Sequence, residues 1–163
     1  MLLILAFTSL ANYFNMDFAN DYRELRYRLI RASYWIRHKV KKFLEPFGLT
    51  QQQFNVLRIL REYYPQPLTT KDISYHMSDP YADTSRVVDR LLNKELVKKK
   101  SNKRDRRLVQ VWITQAGMDL LAKIDQHQDD LDAITAQLSP EKITQLNELL
   151  KDLTEDHFTV NKK

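Results

Sequence analysis

The sequence predicts a mainly α protein with one small β-hairpin, and three observations carry that reading. Apolar residues recur at helical spacing along most of the 163 residues. One run alternates instead, with Val109, Val111 and Ile113 on one face, as a strand does. Just before it, residues 98–107 are crowded with lysine and arginine. Preceding these is an amphipathic helix with apolar positions Val87, Val88, Leu91 and Leu92. Such a helix with an open polar face, followed by a basic hairpin, makes a winged helix-turn-helix domain. Long N- and C-terminal helices, expected to dimerise, flank it.

Composition narrows the function. A chain of this length is about one domain, able to bury roughly two-thirds of its unfolded surface. Only Gly48 and Gly117 are glycine, which excludes glycine-rich phosphate loops. Cysteine is absent, so disulfides, thiol nucleophiles and cysteine-based zinc sites are excluded. The net charge of +5 hides an asymmetry. Residues 48–113 carry 13 Lys/Arg against 7 Asp/Glu, whereas residues 114–163 carry 5 against 10. Positive potential therefore sits on the half that would read a polyanion.

Taken in order, residues 1–16 form an apolar N-terminal extension, too short to span a bilayer and without a basic flank. It reads as an apolar arm used in a dimer or as an over-long start before Met16, with a signal peptide as the remaining alternative. Residues 17–48 are expected to hold the N-terminal dimerisation helix, with Tyr22, Leu25, Leu29, Ile36, Val40, Phe43 and Phe47 as its stripe. Residues 49–113 form the winged helix-turn-helix domain. Thr50 with Gln53 makes a capping box for its first helix, and Thr69 with Asp72 makes one for the second. The third helix is expected to start at an Asp79 N-cap with Pro80 in its first turn, and Thr84 falls beside the apolar stripe. Two strands joined by a Lys/Arg-rich loop then make the wing.

Residues 114–163 are expected to supply the C-terminal dimerisation helices. Thr114 caps one running to about Leu138, and the run Ser139, Pro140, Glu141 starts the last. The apolar stripes exceed what one small core needs, which implies a homodimer.

The chemistry points to double-stranded DNA. Arg86 projects from the polar face early in the third helix, and arginine pairs bidentately with guanine O6 and N7. Ser85 lies at the edge of that face. Asp83 could accept from cytosine N4, although an acid there often serves the helix N-terminus instead. Arg90 is placed to touch the DNA backbone. Lys99, Lys103, Arg104, Arg106 and Arg107 belong to the wing, where one of Arg106 and Arg107 would enter a minor groove while the other holds Asp105. Tyr34, Trp35 and His38, with Phe54, could line a cleft for a small aromatic or anionic effector, although an aromatic stripe is more often core. His38, His76, His127 and His157 show no metal-ligand spacing, and no nucleophile–base set is visible. No metal site, cofactor, catalytic activity or membrane partner is expected, and the cytoplasm is the expected location.

Five segments then resemble one family. LTQQQFNVL at residues 49–57, PLT at 67–69 with Ile73, and SRVVDRL at 85–91 are three of them. Asp105, Arg106 and Arg107 give its wing motif, and Ile113, Thr114 and Gly117 its LTxxG. In this order and spacing they are similar to the MarR family of bacterial transcriptional regulators, over roughly residues 20–155. The resemblance implies a dimeric repressor or activator on palindromic operators, released by a small ligand, with Arg107 as the minor-groove residue. Glu95 stands where the family usually has glycine, so the turn there is expected to be without a left-handed residue. The alternative function is a winged-helix protein-interaction module that does not bind DNA; residues 98–107 argue against it.

Overall fold

The protein is described by a computed structural model over residues 18–77, 82–101 and 109–159. Residues 1–17, the Asp79–Pro80 cap, and the wing residues Lys103, Arg104, Asp105, Arg106 and Arg107 lie outside the described residues. The chain divides into two units, residues 1–38 and 39–163.

Helix α1, Asp21–Leu44, supplies the described part of the first unit and enters the second. It begins later than the expected residue 17, because the Asn20 side chain accepts from the Arg23 amide at 3.0 Å and caps the first turn. An i,i+4 ion pair between Glu24 and Arg28 supports its exposed surface. The expected stripe is only partly buried. Tyr22 is 85% exposed and Leu25 50%, whereas Leu44, outside that stripe, is fully buried in the second unit.

A single 3-10 turn, Glu45–Phe47, follows. Gly48 then takes φ 65°, with its amide donating to Glu45 at 3.0 Å and the Leu49 amide reaching back to Leu44. Glycine adopts this left-handed conformation without steric cost and so ends the helix. Helix α2, Gln51–Glu62, has the expected Thr50–Gln53 capping box. Strand β1, Leu68–Thr69, leads into α3, Thr70–His76, and the Thr69–Asp72 capping box is also present.

Helix α4, Thr84–Leu92, begins at Asp83, whose carboxylate accepts from the Arg86 amide at 3.1 Å. The cap is therefore four residues beyond the Asp79 expected from sequence. Thr84 is buried, as its position beside the stripe predicts. At the far end the Leu96 amide reaches Leu91 at 3.1 Å and the Glu95 amide reaches Leu92 at 2.9 Å. This is a Schellman motif with Glu95 in the glycine position at φ 59°, so the turn does hold a left-handed residue. The buried pair Leu91 and Leu96 supplies the apolar contact that accompanies such a motif.

Strands β2, Val97–Ser101, and β3, Val109–Ile113, pair antiparallel, and β1 joins the other edge of β3. The sheet has three strands where the sequence predicts two, because the two-residue β1 is too short to show a period. Lys98, Lys99 and Lys100, expected from sequence in the basic loop, lie on β2.

The expected long helix after Thr114 is broken. Thr114 caps α5, Gln115–Asp125, and the chain turns at Gln126 and His127 before the short α6, Gln128–Asp132. Helix α7, Pro140–Thr159, starts at the expected Ser139–Pro140–Glu141 run. The Ser139 hydroxyl holds the Glu141 carboxyl below its ordinary range.

One apolar cluster joins the second unit. Leu57 and Leu60 of α2, Ile73 of α3, Val88 and Leu91 of α4, Val97 and Val111 of the sheet, and Leu121 and Ile124 of α5 are all essentially inaccessible. Each such side chain contributes about 1.5–3 kcal/mol of burial free energy. That core fixes which face of α4 is left to solvent.

Candidate nucleic-acid interface

Helix α4 buries Val87, Val88 and Leu91, so its 3.6-residue period turns Asp83, Ser85, Arg86, Asp89, Arg90 and Asn93 outward. Arg86 is the most open of the charged pairs, its side chain 79% exposed. Its Nε lies 3.0 Å from Asp83 Oδ2. Asp83 thus does two jobs, capping the helix through Oδ1 and holding the Arg86 guanidinium through Oδ2. An acid serving the helix N-terminus was one of the two roles open to it from sequence. Ser85 and Arg90 are exposed on the same face.

The wing strand meets this face at one point. Side chains alternate along β2, so Val97 and Lys99 share the side turned to the core, while Lys98 and Lys100 take the other. The Lys99 ammonium pairs with the Asp89 carboxylate on α4. Lys98 instead lies over the ring of Trp112, its cross-strand neighbour, with the ammonium 5.9 Å from the centroid. Sequence reasoning placed Lys99 at the DNA but missed its partner. Only the strand register, brought about by the hairpin, puts residues 89 and 99 together.

The base of the wing is fastened to α5. The Thr114 hydroxyl donates to the Glu95 carbonyl at 2.8 Å, and the Thr114 amide donates to the Leu96 carbonyl at 3.0 Å. The Lys94 ammonium donates to the Gly48 carbonyl, tying the end of α4 to the turn before α2.

Of the expected effector residues, Tyr34, Trp35 and His38 lie on α1 in the first unit and Phe54 on α2 in the second. Tyr34 is 76% exposed and Trp35 39%, and His38 is exposed beside them on α1. Phe54 is buried in the core of the second unit, with the Arg58 guanidinium 5.7 Å from its ring centroid. A separate open cleft of about 360 Å³ lies along α2 and the end of α3, lined by Asn55, Arg58, Ile59, Arg61, Glu62 and His76. His76 meets the Tyr63 hydroxyl at 3.1 Å there, and Arg61 is paired with Asp125. No group of three or more potential metal ligands occurs among the described residues. No helix among them is long and apolar enough to cross a membrane.

Two helices of a helix-turn-helix followed by a lysine-bearing β-wing define a winged helix-turn-helix transcriptional regulator. A sequence model of the MarR family matches residues 49–109. Over 124 residues the chain is 32% identical to the HTH-type transcriptional regulator MhqR of Bacillus subtilis (strain 168), covering 76% of this chain and 84% of that protein. The chain belongs to the MarR family. Solved structures share the fold. A MarR-like transcription regulator from Bacillus cereus ATCC 10987 matches with TM-score 0.74 at 19% identity, over 83% of this chain and 97% of that one. A mutant MarR from E. coli in complex with operator DNA matches with TM-score 0.73 at 25% identity, over 85% of this chain and 99% of that one.

Proposed function

We propose that this MarR-family regulator acts in the cytoplasm as a homodimer on a palindromic operator and is released by a small aromatic or anionic effector. Helix α4 enters a major groove, with Arg86 reading base edges and Ser85 and Arg90 on backbone or base contacts. The β2–β3 wing lies on the neighbouring minor groove, and Lys103, Arg104, Arg106 and Arg107 are the residues assigned to it. The observation that carries this reading is the open face of α4, with Arg86 at its first turn, joined to the lysine-bearing strand β2 through the Asp89–Lys99 pair. The E. coli relative is bound to operator DNA in its own structure. The activity proposed is binding, and no reaction is assigned to the chain.

The dimer rests on exposed apolar surface outside the winged unit. Leu146, Leu149 and Leu153 on α7 are 42%, 65% and 50% exposed, and Tyr22, Leu25 and Ile30 on α1 are equally open. Two such faces suit a second copy of the chain. In this reading residues 17–48 and 114–163 form the dimer and residues 49–113 read DNA. The effector is assigned to Tyr34, Trp35 and His38, which are exposed on α1. The structural relative BpsR of Bordetella bronchiseptica, whose DNA binding is regulated by 6-hydroxynicotinic acid, has TM-score 0.72 at 22% identity.

Selection from a random duplex pool, followed by mobility shift with competitor DNA, tests the reading. An enriched inverted repeat, bound by a species of twice the chain mass in light scattering, is the expected result. Absence of any enriched sequence would overturn DNA reading and favour the protein-interaction alternative.

A further inference from the structure

The reading face of α4 is electrically balanced in a way that DNA affinity alone does not explain. Its exposed charged residues are Asp83, Arg86, Asp89 and Arg90, two acids and two bases. The acids are engaged, Asp83 with Arg86 and Asp89 with Lys99. Asp83 has a structural task as N-cap. Asp89 has none: it lies in the body of the helix with its side chain 55% exposed. An ion pair this open contributes only about 0–1 kcal/mol to folding. Stability is therefore a thin reason for a carboxylate that faces a polyanion.

Its consequence for charge is larger. Non-specific affinity for duplex DNA scales with the number of phosphates neutralised, each contributing about −0.9 to the slope of log K against log salt. Lys99 is the one β2 lysine whose register turns it toward α4, and Asp89 holds it there. A phosphate that recruits that ammonium must compete with the carboxylate already paired to it. On closely docked DNA the carboxylate then lies beside the duplex, where a base-edge donor such as cytosine N4 can pair with it. A sequence offering no such donor leaves it unpaired, which is a penalty confined to wrong sites.

We infer that Asp89 is a specificity-determining residue, which withholds Lys99 from phosphates on DNA of arbitrary sequence and so widens the gap between operator and non-operator affinity. The inference rests on the DNA-binding reading above. Lys99 is then not a phosphate contact on non-specific DNA, contrary to its simplest assignment from sequence.

The test uses the full chain with two probes: one random-sequence duplex, and the duplex that wild-type protein enriches most strongly from a random pool. Affinities are measured across a salt series for wild type, D89N, K99Q and the double variant. On the random duplex D89N should bind about 5–10-fold more tightly at 0.1 M salt, with a slope steeper by about 0.9. Its preference for the enriched duplex should fall. K99Q should leave the random-duplex slope at the wild-type value, and the double variant should return to it. Either of two results would overturn the inference: K99Q alone making the slope shallower by about 0.9, or D89N binding the random duplex no better than wild type. The second covers the purely structural role, in which a loosened wing weakens all binding. K99Q leaves α4 untouched and so decides the matter even where D89N perturbs the helix. Wild-type protein without affinity for either duplex would overturn the DNA-binding reading itself, and the inference with it.

Discussion

Gly117 is pressed against the carbonyl oxygen of Leu96. A β-carbon built on Gly117 would lie 2.4 Å from that oxygen and 2.7 Å from Ile113 Cγ1. The first turn of α5 therefore sits directly on the end of α4 and the close of β3, with Thr114 bonded to both Glu95 and Leu96. This contact sets where the wing leaves the helical body. Gly117→Ala should destabilise the protein by about 1–3 kcal/mol, because the obstructing atom is backbone and the core beneath it is closed. Chemical denaturation of the variant checks this. A change below about 0.5 kcal/mol would mean that α5 is free to slide, and that the junction does not orient the wing.

The same junction holds Glu95 at φ 59°. A residue with a β-carbon loses about 1–2 kcal/mol in that conformation relative to glycine. Glycine loses about 0.5–1 kcal/mol more backbone freedom on folding. Glu95→Gly should therefore be neutral to about 1 kcal/mol stabilising, while Glu95→Ala should give no gain. Comparison of the two midpoints in urea is the measurement. Equal gains in both variants would place the effect in the glutamate charge rather than in the backbone.

These two positions show what was legible in the sequence and what was not. Local signals held: Thr50 with Gln53 and Thr69 with Asp72 are three residues apart, and both boxes form as the spacing demands. The apolar stripe of α4 was equally legible, since Val87, Val88 and Leu91 are all buried. Asp79 misled because an aspartate before a proline satisfies the helix-start rules, whereas the cap is made by Asp83, whose carboxylate accepts from the Arg86 amide. The turn at Gln126 and His127 contains neither glycine nor proline, so nothing local announced the end of α5. The Gly117 contact and the Asp89–Lys99 pair join residues distant in sequence, and a period or motif does not report distance in space.

Asp72 carries a pH signature. Its carboxylate accepts from the Thr69 hydroxyl at 2.7 Å and the Thr69 amide at 3.0 Å, and these bonds hold it below the ordinary carboxylate range. A depressed native value means that the capping box stabilises above the unfolded-state pKa and that this contribution is lost as pH falls through the lowered folded value. Thr69→Ala should cost about 1 kcal/mol at neutral pH. It should also raise the Asp72 titration midpoint toward the ordinary value. Carboxyl titration by NMR in both proteins checks the shift, and an unchanged midpoint would leave Thr69 as a cap for the Asp72 amide alone.

Arg86 is where fold and recognition meet most directly. Its amide is a donor to the α4 cap while its guanidinium is held by the same aspartate, 79% exposed at the start of the reading helix. Arg86→Ala should weaken binding to the enriched duplex and relax discrimination at one base pair, together by about 1–3 kcal/mol. Arg86→Lys separates charge from geometry. Lysine retains the positive charge but lacks the planar fork that pairs with guanine O6 and N7. That variant should keep the wild-type salt slope and lose the base preference. A shallower slope in Arg86→Ala with base preference intact would make Arg86 a phosphate contact and move base reading to Ser85 or Arg90. Wild-type affinity and preference in both variants would remove Arg86 from the interface.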